Sequence, residues 1–340
     1  MTKENGMTLD EIKLRRLLGQ HLLAPADTQT VVKDLCGVQA QFLSHGFHGL
    51  AIRTSCVSTD GLVKSWTNRG TMHLFSVDDL SLFLHEGRTR FLRPVDTLDS
   101  DAYISADRKK YFADLIVDAI SQGNDEREAL KVLCEKAGMS EQESHSVFDP
   151  WGGLIRALCE TGRLCHKVQE KKAYQICPHF EPMAEVSARL ELARRYFAHL
   201  GPATIKDAAY FFGTTQTAVK GWLKALPAVE TILDGKSYFC IDGGVPTGDL
   251  PECLFLAGFD QLLLGYEKTE NPFLPKEHIR DIFTLAGIVR PAILIDGDVA
   301  GWWNLKNRIL SMTMFGNFDA DVVTKTASEL WPELKKITLK

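Results

Sequence analysis

The apolar positions of ATIKDAAYFFGTTQTAVKGWLKAL, residues 203–226, fall at helical spacing on both sides of a single break at Gly213. Ala209 stands four residues before that glycine and Val219 six after it, which is the spacing of a helix-turn-helix. The small alanine lets the two helices approach, the glycine takes the turn, and Val219, Trp222 and Leu223 supply the packing face of the second helix. Thr204 is placed to cap the first helix, and Thr214 or Thr215 the second. The pattern then becomes strand-like. VETILDGKSYFCID predicts two short strands around Asp234-Gly235. A helix-turn-helix followed by a hairpin is the layout of a winged helix.

The same order recurs upstream. DEREALKVLCEKAGMSEQESHSVFDPWGGLIRALCETG predicts helices broken at Gly138 and near Pro150, and RLCHKVQEKKAYQIC predicts a strand, a basic turn and a strand. The first hundred residues parse in a similar way: helices over about 8–22 and 28–38, then LVKSWTNRGTMHLFS as a helix turning at Gly70 into a strand. From about residue 251 the texture is mostly β. ECLFLAGFDQLLLGYE and GIVRPAILIDGDVAGWWNLKN read as strands, the latter around Asp296-Gly297, ILSMTMFGNF continues them, and DADVVTKTASELWPELKKI closes with a helix. Trp302 and Trp303, as consecutive strand residues, face opposite ways. The expected class is α+β: winged-helix domains over 1–112, 113–180 and 181–250, then a β-barrel-like module over 251–340.

Composition narrows the function classes. A chain of 340 residues with 45% hydrophobic and 24% charged positions is that of a globular protein of about two or three domains. The N-terminal stretch lacks a signal-peptide pattern and no run of 18 apolar residues occurs, so a cytoplasmic protein with no membrane partner is expected. The 8 cysteines form no C-x-x-C pair, which argues against a disulfide framework or a thiolate zinc site. His45 and His48 have a metal-compatible spacing but no carboxylate or thiol beside them in sequence. The net charge of −5 means that any role on nucleic acid rests on local positive patches. Candidates are Arg88, Arg90 and Arg93, then Arg108–Lys110, then Lys167, Lys171 and Lys172, each of which reads equally as a solvated face.

One segment stands out chemically. In LCGVQAQFLSHGF, residues 35–47, Gln39 and Gln41 flank Ala40 in an otherwise apolar setting. A buried amide costs roughly 1–3 kcal/mol unless its hydrogen bonds are met. In an unbroken helix the two side chains would point about 200° apart. If Gly37 ends the preceding helix, the chain beyond it is extended and both amides project to one side. Paired glutamines near a helix end are more often surface or capping residues, so the pair alone is weak.

Its company is more specific. VQAQ, then WTNRGTMHLFSVDDL some thirty residues on, then GFDQLLLGYEKTE and RPAILIDGDVAGWW, together resemble the AlkZ/YcaQ-type bacterial DNA glycosylases with a Gln-apolar-Gln motif. The resemblance implies three tandem winged helices and a C-terminal β-barrel, double-stranded DNA as partner, a monomer, and hydrolysis of the N-glycosidic bond of alkylated purines, including some interstrand crosslinks. It implies Gln39 and Gln41 as the catalytic pair, with Arg69, Thr71 and His73 beside the cleft. The strand-turn-strand pattern of RLCHKVQEKKAYQIC itself puts Lys171 and Lys172 at a wing tip, where such a tip meets a DNA backbone. His73 reads equally as a core histidine bonded to backbone. No metal or cofactor is expected. One departure is visible: after LLGY, where a more basic run belongs, the chain reads Glu267, Lys268, Thr269, Glu270. The alternatives are a winged-helix regulator that binds DNA without cleaving it, and an acidic scaffold for protein or small-molecule partners.

Overall fold

The computed structural model describes residues 7–67, 70–149, 152–242, 244 and 246–340. Thr8 opens α1 (Leu9–Gly19) with a capping box, its hydroxyl accepting from the Glu11 amide while the Glu11 carboxylate accepts from the Thr8 amide. Asp27 caps α2 (Thr28–Asp34) through the Thr30 amide. This helix stops short of residue 38. Cys36 and Gly37 take φ of 54° and 84°, a left-handed turn that glycine adopts without steric cost, and the chain leaves it extended as β1 (Val38–Gln39). α3 (Leu43–Ala51) follows.

Contacts divide the chain into two units, Thr59–Glu191 and a second made of the residues up to Ser58 with Leu192–Lys340. In the first, β2 (Leu62–Trp66) pairs antiparallel with β3 (Met72–Ser76), Leu62 opposite Ser76 and Trp66 opposite Met72. The helix expected over LVKSW is thus a strand. Val63 and Ser65 are buried while Lys64 and Trp66 are half-buried, a period of two that suits a pleat, and β3 supplies the antiparallel partner. Beyond α4 (Leu80–Phe83), the helices α5 (Ala106–Ser121), α6 (Arg127–Lys136), α7 (Glu141–Val147) and α8 (Gly153–Glu160) lead into a hairpin, β4 (Leu164–His166) and β5 (Tyr174–Ile176). The strands of this unit run in the order β3-β2-β4-β5. Phe112, Ile116, Leu130, Cys134, Leu158 and Leu164 form its core.

The chain returns through α9 (Glu185–Arg195) and a π-helical turn, Tyr196–Leu200. The helix-turn-helix then forms as its spacing predicts. α10 (Ile205–Phe212) is capped by Thr204, Gly213 ends it at φ 59°, and α11 (Gln216–Ala225) is capped by Thr215. β6 (Ala228–Leu233) and β7 (Lys236–Ile241) make the hairpin, with Asp234 and Gly235 both at positive φ.

The C-terminal region carries β8 (Cys253–Phe255), α12 (Gln261–Leu264), α13 (Ile279–Ile282), β9 (Ala292–Ile295), β10 (Asp298–Lys306), β11 (Ile309–Met314), α14 (Ala320–Leu330) and β12 (Lys336–Leu339). The strand expected through QLLL is a short helix, because Asp260 caps it by accepting from the Leu262 amide. The final residues add a strand, β12, parallel to β11. The sheet order is β12-β11-β10-β9-β8, and among the described residues its two edges do not pair, so no closed barrel forms. Trp302 and Trp303 do face opposite ways, Trp302 towards the cluster of Leu262, Phe273 and Val299, and Trp303 into that of Phe255, Met312 and Val323. The architecture is mixed α+β. No helix of the described residues is long and apolar enough to cross a membrane.

Candidate active site

Gln39 ends β1 and is only 6% exposed. Its amide has no hydrogen-bond partner among the described residues. It lines a cavity of ≈ 10 Å³, about the room of one water, together with His45, Arg53, Phe259, Asp260 and Gln261.

The walls of this cavity are built from buried polar groups. Arg53 and Asp260 form a two-pronged ion pair, with Nη1 3.0 Å from Oδ2 and Nη2 2.7 Å from Oδ1, and both side chains are almost wholly buried. Arg53 Nε donates to the Gln20 carbonyl at 3.0 Å, and Nη1 also donates to the Gly49 carbonyl at 2.9 Å. Gln261 Nε2 donates to the carbonyls of Leu35 and Gly37 at 2.9 and 3.0 Å, fastening the turn that leads into β1. Its Oε1 is buried without a partner. A bond from Gln20 Nε2 to Tyr266 Oη, and from Tyr266 Oη to the Leu200 carbonyl, both at 2.8 Å, backs this layer. Burial pushes the His45 imidazole below its usual value, which favours the neutral ring. The result is a buried polar frame beside the Gln39 amide, which is able to accept a hydrogen bond from a water and donate one to a neighbour.

Gln41 lies two residues on, in a bend, and is exposed; Ala40 between them is fully buried. The helical alternative is therefore excluded: the pair sits on non-helical backbone. His48, paired with His45 in the metal-compatible spacing, bonds the Phe255 carbonyl at 2.8 Å and stacks on Trp331.

The remaining candidates fall in the other unit. His73 is 2% exposed, its Nδ1 2.7 Å from Thr67 Oγ1 and 3.1 Å from the Thr71 carbonyl, the environment of a core histidine. Thr71 is half-buried, and Arg69 lies outside the described residues. Lys171 is exposed but paired with Glu126 at 2.5 Å; Lys172 is exposed beside it. The basic patches are largely neutralised from within. Arg88 meets Glu160, Arg90 meets Glu185, Arg93 meets Asp96, Arg108 meets Glu143, and Lys167 meets Asp125. Lys109 is no surface charge at all: it is 1% exposed and donates to the Pro94 and Thr97 carbonyls. Glu267 and Glu270, the acidic departure, are bound by Lys206, and Glu270 also by Lys236. Arg53, Asp260 and Gln261 were not singled out by sequence reasoning, although the GFDQ block contains the latter two.

Comparison with known proteins agrees on one relationship. An interstrand DNA cross-link repair glycosylase of Streptomyces sahachiroi is 26% identical over 316 residues, which is 84% of this chain and 84% of that one. The solved structure of the Streptomyces sahachiroi DNA glycosylase AlkZ superposes with a TM-score of 0.78 over 98% of this chain and 99% of that chain; at 20% identity this likeness speaks for the fold. The sequence profile of the family described as DNA glycosylase AlkZ-like matches residues 32–331, from within α2 to just past α14, and so includes Gln39 and Gln41. The chain belongs to the AlkZ-like DNA glycosylase family.

Proposed function

We propose that this protein hydrolyses the N-glycosidic bond of cationic alkylated purines in double-stranded DNA, of the N7-alkylguanine type and extending to interstrand crosslinks, with Gln39 and Gln41 as the catalytic pair. The observation that carries the reading is the Gln39 amide, buried on a short strand beside a water-sized cavity with no protein partner. An amide has no useful pKa and is no strong base. A purine alkylated at N7 or N3 carries positive charge and is already a good leaving group, so strong general-base help is not needed. As it departs, the sugar takes on oxocarbenium character, as in glycoside hydrolysis. Neutral carbonyl oxygens aimed at the sugar and at the attacking water supply orientation and electrostatic stabilisation. Chemistry this mild spares normal bases and selects for the charged lesion.

The reading extends to a monofunctional enzyme that leaves an abasic site, to a monomer working in the cytoplasm, and to three winged-helix modules over 1–112, 113–180 and 181–250 followed by a β-rich module over 251–340. The hairpins after α8 and α11 support wings at those places, with Lys171 and Lys172 near the backbone of the duplex. The test is release of N7-methylguanine from a labelled duplex, followed by alkaline cleavage at the abasic product, and repeated on a crosslinked duplex. Wild type releases base without cutting the strand. Gln39→Ala and Gln41→Ala each lose roughly 10²-fold or more in rate while folding and DNA binding persist. Duplex binding by a wild type inert on both substrates would favour the regulator.

A further inference from the structure

Apart from the cavity at Gln39, three ligand-bearing side chains of the same unit converge. His21 follows the end of α1, Asp34 is the last residue of α2, and His199 lies in the π-helical turn. Asp34 sits between the two imidazoles. Its Oδ2 is 2.8 Å from His21 Nε2, and its Oδ1 is 3.3 Å from His199 Nε2. The three ligand atoms lie within 4.8 Å of one another, the only such group of histidine, cysteine and acidic residues among the described residues. The rings stack with centroids 6.2 Å apart and planes at 28°.

We propose that His21, Asp34 and His199 form a binding site for one divalent transition-metal ion of the zinc class. Two imidazoles and a carboxylate are a donor set that such ions take readily. An ion bonded at roughly 2.0–2.2 Å to each donor holds the donor atoms about 3–4 Å apart, so the side chains need little movement to close on it. The carbonyl ends of α1 and α2 add negative potential at the same place. Arg194 acts on His199 with the opposite effect, and the ion binds against it. All three side chains are half-buried, which leaves a remaining position to water.

The role is structural. Only residues 35–38 separate Asp34 from Gln39, so an ion at Asp34 pins the lead-in to the catalytic strand to the ends of α1 and the π-helical turn. The chemistry at the glutamines needs no metal, and the site is separate from it.

The test uses the full chain stripped of metal with a chelator. Cobalt(II) is titrated by visible absorption and zinc(II) by calorimetry, and thermal unfolding is followed with and without zinc. Wild type takes up one equivalent, gives cobalt d–d bands without a thiolate charge-transfer band, and melts at a higher Tm with zinc. Asp34→Asn and the double variant His21→Ala/His199→Ala lose both the equivalent and the Tm shift. Cys36→Ser, which removes the nearest thiol in sequence, keeps them. Should an alanine variant fail to fold by circular dichroism, His199→Gln takes its place. Absence of stoichiometric binding by wild type, or its survival in the double variant, overturns the proposal. No DNA is involved, so the outcome is independent of which lesion is cleaved.

Discussion

Gln39 keeps its amide uncommitted because the donors around it are taken, those of Arg53 by carbonyls and Asp260 and that of Gln261 by the Leu35 and Gly37 carbonyls. Arg53 is the centre of that arrangement, with carbonyls of Gln20 and Gly49 and the carboxylate of Asp260 taking its donors. A buried ion pair adds little over a well-packed apolar replacement, but removing one partner leaves the other charge stranded. Arg53→Ala is therefore expected to cost about 3–5 kcal/mol in urea unfolding, with base release falling alongside. A loss under about 1 kcal/mol would show that water reaches Asp260. This residue-level pairing was not legible in the sequence, since the partners lie 207 positions apart. The glutamines were legible only through the blocks that accompany them. Nothing in VQAQ itself says which amide is buried, and Gln39 and Gln41 differ in exposure because β1 ends between them.

Elements were readable where their causes are local. Thr204, Gly213 and Thr215 fix α10 and α11 with contacts three or four residues away, and the Asp-Gly turns fix two hairpins. Gly213 holds φ 59° and ψ 42°, a conformation that costs other L-residues roughly 1–2 kcal/mol. Gly213→Ala is expected to lower stability by about that amount, and Thr204→Ala by about 1 kcal/mol through the lost cap. Equal stability of Gly213→Ala and wild type in thermal unfolding would mean the turn is not set by this residue. Elements that depend on distant partners were misread. β2 is a strand through β3 and β4, and β12 exists only because β11 offers it a parallel edge. Lys109 fails as a surface charge for a similar reason: its carbonyl partners belong to residues 94 and 97, which no helical periodicity places.

For the molecule as a whole, histidines shielded from water add to its sensitivity to acid. Burial pushes His45, His48, His85 and His199 below their usual values, and it pushes His166 down to about 3, with Lys64 and Lys172 adding to the effect. His166 packs against Trp66 and Tyr174, and its Nε2 has no partner. An unfolded chain protonates it near pH 6.5 while the folded protein does not until about pH 3. Stability is thus unaffected by this group above pH 6.5 and falls as pH drops from there towards 3, by about 1.4 kcal/mol per pH unit. His166→Phe removes the penalty. It is expected to be more stable than wild type by about 2 kcal/mol at pH 5, measured relative to their difference at pH 7.5. Denaturant titrations at the two pH values decide it. An unchanged difference would place the acid sensitivity on the other histidines.

The interrupted layout of the glutamine-bearing unit has a consequence for biosynthesis. Gln39 and Arg53 leave the ribosome early, whereas Asp260 and Gln261 come after the whole of Thr59–Glu191 has been made. At roughly 5–20 residues per second, the guanidinium waits on the order of 10–40 s for its carboxylate. During that interval the intervening unit, which owns a core of its own, is free to fold first. A nascent chain arrested before residue 257 carries Gln39 and none of Ala257, Phe259, Asp260 or Gln261 across its cavity, so that cavity closes only after about three quarters of the chain has been made.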